Sequence, residues 1–446
     1  MSIKSNWKKC KLINETISIG DGIHGTPTYD ANSDVFFING NNLLKGHICL
    51  KKDTKRVSSA QATIHQDILG EQTILISING TLGNVAYYCN EPVVLGKSAC
   101  YVNINSQNDK RFFYYLFSSP MFQQYLHYEA TGTTIKNVSL RSIRNFEFLL
   151  PTLEEQKRIA EILGSLDDKI ELLQKQNKTL EDMAKALFKS WFVDFDVVRA
   201  KQKGLPKADI MREYHLTDDL YDLFPSSFAD SPLGPIPSGW EVKNVGELLA
   251  FSIGGGWGNE EESESFPIKA PVIRGTDIPS LRSSGAYNDV PVRFHKKSNH
   301  TSRELKEGDI VLEVAGGSKG QPVGRALFVS DYIIKSLSKV ICASFCKLLR
   351  PNKKLLLSEL FYLYLDMVYQ TGEIEQYQVQ STGISNFQFK QFCEDKQFVI
   401  PNTELQKKLS LNVYIDKIGN NKKQIQTLTE LRDTLLPRLI SGKIRV

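Results

Sequence analysis

The chain has 446 residues, 41% hydrophobic and 24% charged, with a formal net charge of +5. This excludes a disordered, collagen-like or disulfide-scaffold protein, and the length calls for two or more domains with connectors. Seven cysteines without a CxxC pair give neither a disulfide framework nor a paired-knuckle zinc site.

The start, Met1-Ser2-Ile3-Lys4-Ser5-Asn6, is polar and lacks the apolar stretch of a signal peptide. No apolar run approaches the roughly 20 residues of a membrane helix, so a cytoplasmic chain is expected. Residues 1–150 are mixed in character. A β-like run, Thr73–Ile78, leads into the turn Gly80-Thr81-Leu82-Gly83, then a helical stretch Phe112–Leu126 and a Thr-Gly turn at 131–137. An apolar strand closing on Pro151 ends this first domain.

From 151 to 204 the pattern is helical. Ile159, Leu166, Leu173, Leu180 and Leu187 recur every seven residues, and Leu163, Ile170, Asn177, Ala184 and Trp191 interleave with them. The 33 residues from Ile159 to Trp191 would span about 50 Å at 1.5 Å per residue. Residues 205–240 hold 2 basic and 6 acidic side chains, and 205–238 reads as an acidic, Pro-rich linker. Residues 239–400 form a second mixed domain, with a β-like run Asp309–Val314, a glycine-rich turn at 316–320 and a helical stretch Leu355–Val368. The last segment, 401–446, carries 9 basic residues against 4 acidic ones. Its seam runs through Leu411, Tyr414, Ile418, Asn421, Ile425, Leu428, Leu435 and Leu439, and Pro437 should stop or kink this helix.

The two halves follow one plan. Asp168-Lys169-Ile170 matches Asp416-Lys417-Ile418, Leu149-Leu150-Pro151 resembles Val399-Ile400-Pro401, and Gln156 falls on Gln406. The fold class expected is therefore α+β: two α/β domains, each followed by a long helix. Neither narrow apolar stripe can be buried alone. Pairing with each other as an intramolecular antiparallel coiled coil is the plainest solution; packing on each helix's own half, or homodimerisation, are the others. One asparagine in each seam, Asn177 and Asn421, could fix register.

Catalytic signatures are missing. There is no GxxxxGK[ST] loop, no GxGxxG after a strand, no HExxH and no Asn/Asp-Pro-Pro-aromatic segment for a target base. Gly254-Gly255-Gly256-Trp257-Gly258 reads as a turn or ligand-facing loop. Asp309 and Glu313 read as a turn residue and a polar strand residue rather than magnesium ligands, and Cys342 and Cys346 as buried structural thiols. With no metal ligands in view, what remains is a capacity to contact phosphates and base edges. In the first half the candidates are Lys51, Lys52, Lys55, Arg56, Thr81, Asn84, Thr133 and Lys136. In the second they are Trp257, Arg274, Lys296, Lys297, Arg303, Ser318, Lys319, Gln321 and Arg325. A coiled-coil interaction scaffold without sequence-specific DNA binding is the alternative class.

The segment "LPTLEEQKRIAEILGSLDDKIELLQKQNKTLEDMAKALFKSWFVDFDVVRAK" (150–201) resembles the central region of the specificity (S) subunits of type I restriction–modification systems. "WKKCKLINE" (7–15), "LGPIPSGWEVKNVGEL" (233–248) and "TLLPRLISGKIRV" (434–446) are similar to further family motifs, so the resemblance covers nearly the whole chain. It implies two target recognition domains, each reading half of a bipartite, asymmetric site in double-stranded DNA. It implies docking of two methyltransferase (M) subunits and of restriction (R) subunits, with Glu154, Glu155, Lys157 and Arg158 as candidate docking residues. S-adenosylmethionine, ATP and Mg2+ would then sit on those partners, and this chain would bind no cofactor and catalyse nothing itself. The second helical region departs from the pattern: Gly419–Lys423 is more polar, and Pro401-Asn402-Thr403 lacks the paired glutamates.

Overall fold

The computed structural model describes residues 7–66, 68–285, 287–316, 322–381, 384–409 and 411–446. The chain divides into two units, Met1–Lys169 with Leu428–Val446, and Ile170–Thr427. Each long helix therefore contributes one part to each unit, where boundaries at 150 and 400 were expected from composition.

In the first unit, strands Thr16–Asp21, Ala99–Ile104, Thr73–Ser77 and Val85–Tyr87 form an antiparallel sheet in that spatial order. Thr73–Ser77 lies between two neighbours and is buried along its whole length, which is why it reads as a continuous apolar run. Helices Lys110–Ser118 and Pro120–Glu129 supply Phe112, Phe113, Phe117 and Phe122 to the core, all fully buried. They are two helices rather than the single stretch expected. Ser119 accepts the Phe122 amide as an N-cap and Pro120 opens the second helix, where its missing N–H costs nothing.

The second unit repeats this order with Leu249–Gly254, Cys346–Pro351, Ile310–Glu313 and Ala326–Phe328. Both units also hold a small parallel pairing, Phe36–Ile38 with Val93–Leu95 and Ile268–Ile273 with Ile341–Cys342. Lys8–Lys11 pairs with Glu147–Leu150, and Glu241–Asn244 with Gln397–Ile400, just before Pro151 and Pro401. Gln156 and Gln406 then do the same work. Each side-chain oxygen accepts a backbone N–H, of Asp109 and of Leu357, at 2.9 Å, and each amide donates to the preceding proline's carbonyl. Both glutamines are buried, so every one of these bonds is shielded from competing water.

The first long helix is Leu153–Phe192 and the second Leu411–Ile440. Every seam position of the first, from Ile159 to Trp191, is buried or half-buried. Within the first unit, Ile159, Ala160 and Leu163 share a core with Leu436, Leu439 and Ile440, and Arg432 donates to Asp167 at 2.8 Å. Within the second unit, Asn421 donates to Asn177 at 2.8 Å, both nearly fully buried. The remaining Nδ2 of Asn177 and Oδ1 of Asn421 find no partner among the described residues. A single Asn177→Leu change, leaving Asn421 with nothing to bond, is expected to lower stability by about 1–3 kcal/mol. The Asn177→Leu/Asn421→Leu double variant should recover most of that loss in urea denaturation; additive losses would exclude the pairing.

Pro437 lies inside the second helix, which ends at Ile440, within a turn of the proline and so near the stop expected there. One expectation is corrected. The 205–238 stretch is folded: it holds helices Lys207–Glu213 and Asp218–Leu223 and a Phe228–Ala229/Ile236–Pro237 strand pair. Ile210, Leu216, Phe224 and Ile236 anchor it in the core of the second unit.

Candidate nucleic-acid interface

In the first unit one end of the four-stranded sheet gathers the turns. Strand Thr73–Ser77 runs out into the Gly80–Gly83 turn, whose two glycines have φ of +73° and +79°, a region that favours glycine. Ser77 closes the turn: its backbone N–H donates to Asn84, its carbonyl accepts from Gly83 and its hydroxyl accepts the Asn84 amide. The Thr-Gly turn lies alongside, with the Gly80 amide donating to the Lys136 carbonyl and Val138 donating to Ile78, both at 2.9 Å. Thr81, Thr133 and Lys136 are thus brought onto one exposed surface. Asn84 is not a free reader, because its side chain donates to Gly40 at 3.2 Å.

Lys97 belongs to this surface and was not foreseen. It is exposed beside Ser98, whose carbonyl accepts the Ile78 amide at 3.0 Å. Nothing but sheet register places it there. The basic run at 51–56 packs elsewhere: Lys55 lies over Tyr29 at 4.4 Å and Arg56 over Phe36 at 4.7 Å. Arg56 also donates to the Ser33 carbonyl and is half-buried, whereas Lys51, Lys52 and Lys55 are exposed.

The same sheet end in the second unit is built differently. The counterpart glycine turn, with Ser318, Lys319 and Gln321, lies outside the described residues. Its start, Ala315–Gly316, pairs with Ile384–Phe387, as the first unit's turn pairs with 131–137. Val314 and Ala315 both donate to the carbonyl of Phe345, a phenyl ring left 59% exposed. The Gly255 and Gly256 amides donate to Cys346 and Cys342 at 2.9 Å. A Cβ on Gly255 would come within 2.1 Å of the Ala343 carbonyl oxygen, so the glycine run is a close-packed turn presenting Trp257.

Several second-unit candidates prove to be engaged. Arg325 makes a two-pronged pair with Glu313 at 2.8 and 2.7 Å, and Arg350 does so with Asp309. Both carboxylates therefore face arginines, as structural rather than magnesium-binding residues do, and Arg325 is removed as a base reader. Arg303 donates to the Gly254 carbonyl at 2.9 Å and so supports the Trp257 turn rather than projecting from it. Arg274 is held by Asp277 and by the Asp289 carbonyl, lining a cavity of about 200 Å³ with Thr276 and Ser280. Lys296 is exposed over Phe266 at 5.4 Å, and Lys297 is exposed. Cys342 and Cys346 are buried; burial pushes the Cys342 thiol up to about 12.

Of the docking candidates, Glu155 is committed inside its own unit, accepting from the Trp7 indole at 3.2 Å and from Thr152 as a helix cap. Arg158 pairs with Glu154 at 2.7 Å along the exposed helix face, and Lys157 is exposed. Among the described residues no group of His, Cys, Asp and Glu could hold a metal ion. Among them too, no helix is long and apolar enough to cross a membrane.

Residues 25–182 match the family of the type I restriction modification DNA specificity domain. The chain is 26% identical over 386 residues to the type I restriction enzyme MjaIX specificity subunit of Methanocaldococcus jannaschii, covering 85% of this chain and 79% of that protein. It is 26% identical over 361 residues to the HindI specificity subunit of Haemophilus influenzae, covering 71% and 73%. The crystal structure of a type I restriction–modification S subunit from M. genitalium shares the fold, with a TM-score of 0.51 at 16% identity over 99% of this chain and 97% of that one. The family match and the relatives agree with the resemblance read from the sequence, and the M. genitalium structure agrees with its mixed helix-and-sheet fold.

Proposed function

We propose, from the premise that residues 25–182 carry a type I restriction modification DNA specificity domain, that this chain is the DNA-reading subunit of such a complex. Each unit would read one half of a bipartite, asymmetric site. The long helices would act as a coiled-coil spacer and as the docking surface for two M subunits, with R subunits joining for cleavage. S-adenosylmethionine, ATP and Mg2+ would be held by those partners, and the assembly would work on DNA in the cytoplasm.

One observation carries this reading: two units of the same strand order bear different side chains at the same sheet end. The first offers Lys97, Thr81, Thr133 and Lys136, and the second Trp257 and Phe345. A shared scaffold with unlike surfaces suits two unlike half-sites. Lysines there supply phosphate affinity, while turn residues approach base edges.

Co-expression with the neighbouring methyltransferase subunit and mapping of methylated adenines tests it. The expected result is one bipartite motif, lost when this chain is deleted; methylation unchanged without it would favour a scaffold that does not read DNA. Removing one heptad from each long helix is expected to shorten the unspecified gap by about 3 base pairs, at 1.5 Å per residue against 3.4 Å per base pair. An unchanged gap would overturn the spacer.

A further inference from the structure

The turn carrying Trp257 covers a strand whose polar groups are incompletely satisfied. Asn259 and Phe294 exchange backbone hydrogen bonds at 2.8 and 2.9 Å, which seats the turn on strand Val292–His295. Arg293 and His295 alternate to the same side of that strand. The Arg293 guanidinium lies over the Trp257 ring at 4.8 Å, and its terminal nitrogen meets Glu260 at 3.2 Å. Its Nε is buried and finds no acceptor among the described residues, and both ring nitrogens of the fully buried His295 are likewise without a partner. Gly258 sits directly above: a Cβ there would come within 2.6 Å of the imidazole.

The partners of Arg293 separate it from Arg274, Arg325 and Arg350. Arg274, Arg325 and Arg350 are each gripped in two-pronged fashion by carboxylates that are themselves nearly fully buried. Arg293 is held by the neighbouring Val292 carbonyl at 3.0 Å and by one oxygen of Glu260, whose side chain is 81% exposed. An exposed ion pair of this kind is weak and readily exchanged. Trp257 stacks on the guanidinium, whose side chain is 21% exposed beside the far more exposed Glu260, so the terminal nitrogen that meets the glutamate is the one an incoming acceptor reaches. Glu260 also begins an exposed acidic run with Glu261, Glu262 and Glu264, which opposes indiscriminate binding to phosphate at the same place.

We propose that Arg293, stacked on Trp257 and screened by Glu260, is a specificity-determining contact of the second unit. Correct DNA offers the guanidinium an acceptor better than the single glutamate oxygen, and Glu260 gives way. Incorrect DNA leaves the glutamate in place, where it repels the backbone. The residue thus discriminates through a repulsive element as well as an attractive one. This inference rests on the DNA-reading function proposed above.

The test uses the chain in complex with its methyltransferase subunit and duplexes carrying the mapped site, or that site scrambled in one half only, in fluorescence anisotropy. Arg293→Ala is expected to weaken binding to the intact site at least tenfold and to remove discrimination against the scrambled second half. Discrimination against the scrambled first half should remain, which also shows that the variant complex is assembled. Glu260→Gln should tighten binding to fully scrambled DNA several-fold. Equal discrimination at the second half by wild type and Arg293→Ala would overturn the proposal. So would a uniform loss on every duplex with a shallower salt dependence, the mark of a plain phosphate contact. A wild-type complex that discriminates at neither half would instead refute the DNA-reading function itself.

Discussion

Replacing Asp366 with alanine is expected to destabilise the second unit by about 3–5 kcal/mol, the loss that follows when one member of a buried ionic group is removed and the others stay charged. Asp366 is 2% exposed on helix Ser358–Gln370. It accepts from Arg282 at 2.7 Å and from Lys185, on the first long helix, at 2.9 Å. Burial alone would push its carboxyl up, but Arg282 and then Lys185 outweigh burial and hold it below the usual carboxylate range. A carboxyl depressed on folding contributes stability that is present above its unfolded pKa and is lost as pH falls through the folded one. Urea titration of wild type should therefore weaken in acid below about pH 4, and Asp366→Ala should lose that part of the acid sensitivity. Because Lys185 is 34% exposed, water can rescue part of its charge, which places the expected loss nearer the lower bound. Replacing all three by Leu and Met should come close to wild-type stability; a triple variant as weak as Asp366→Ala would show that packing, not charge, sets the cost.

Lys422→Met should act in the opposite direction at pH 7, removing a charge-burial penalty of about 3 kcal/mol before any loss of packing or of its hydrogen bond. Lys422 is 9% exposed on the second long helix and donates to the Leu281 carbonyl at 2.9 Å. Burial lowers its pKa to about 8, with Glu181 opposing and Arg282 assisting that shift. Between pH 8 and about 10.5 the unfolded chain binds this proton and the folded chain does not, so wild-type stability should rise with pH across that window. Below pH 8 both states are protonated and the penalty is constant. The methionine variant should show a flat profile from pH 8 to 10 in thermal denaturation. A slope equal to wild type would mean that another group titrates there. The bared Leu281 carbonyl costs about 1–3 kcal/mol, so the flattened profile is the decisive reading.

Features set by local periodicity were legible from the residues. Ile159 through Trp191 repeat at heptad spacing, and a heptad needs no knowledge of the partner to be recognised. Thr73–Ile78 and Asp309–Val314 read as strands because a central strand is apolar on both faces. The 205–238 stretch was misread because its acidic residues and prolines dominate the composition, whereas Ile210, Leu216 and Phe224 matter only once a core is there to receive them. Site residues were less legible for a related reason. Arg325, Arg303 and Asn84 were singled out as polar residues near turns, but their partners lie 12, 49 and 44 positions away. Arg293 shows the reverse case: it is an ordinary strand arginine until its strand is laid beneath Trp257.

The first unit is discontinuous, and this bears on how the protein is made. Its core includes Leu436, Leu439 and Ile440, while the 258 residues from Ile170 to Thr427 belong to the other unit. Ribosomes add roughly 5–20 residues each second, so the earlier portion emerges roughly 13–50 s before the residues that complete it. The second unit, being continuous, is whole as soon as Thr427 has left the exit tunnel. The usual order of maturation on the ribosome is thus inverted, and a chain ended between Thr427 and Leu436 would have its second unit whole while the core of its first lacks Leu436, Leu439 and Ile440.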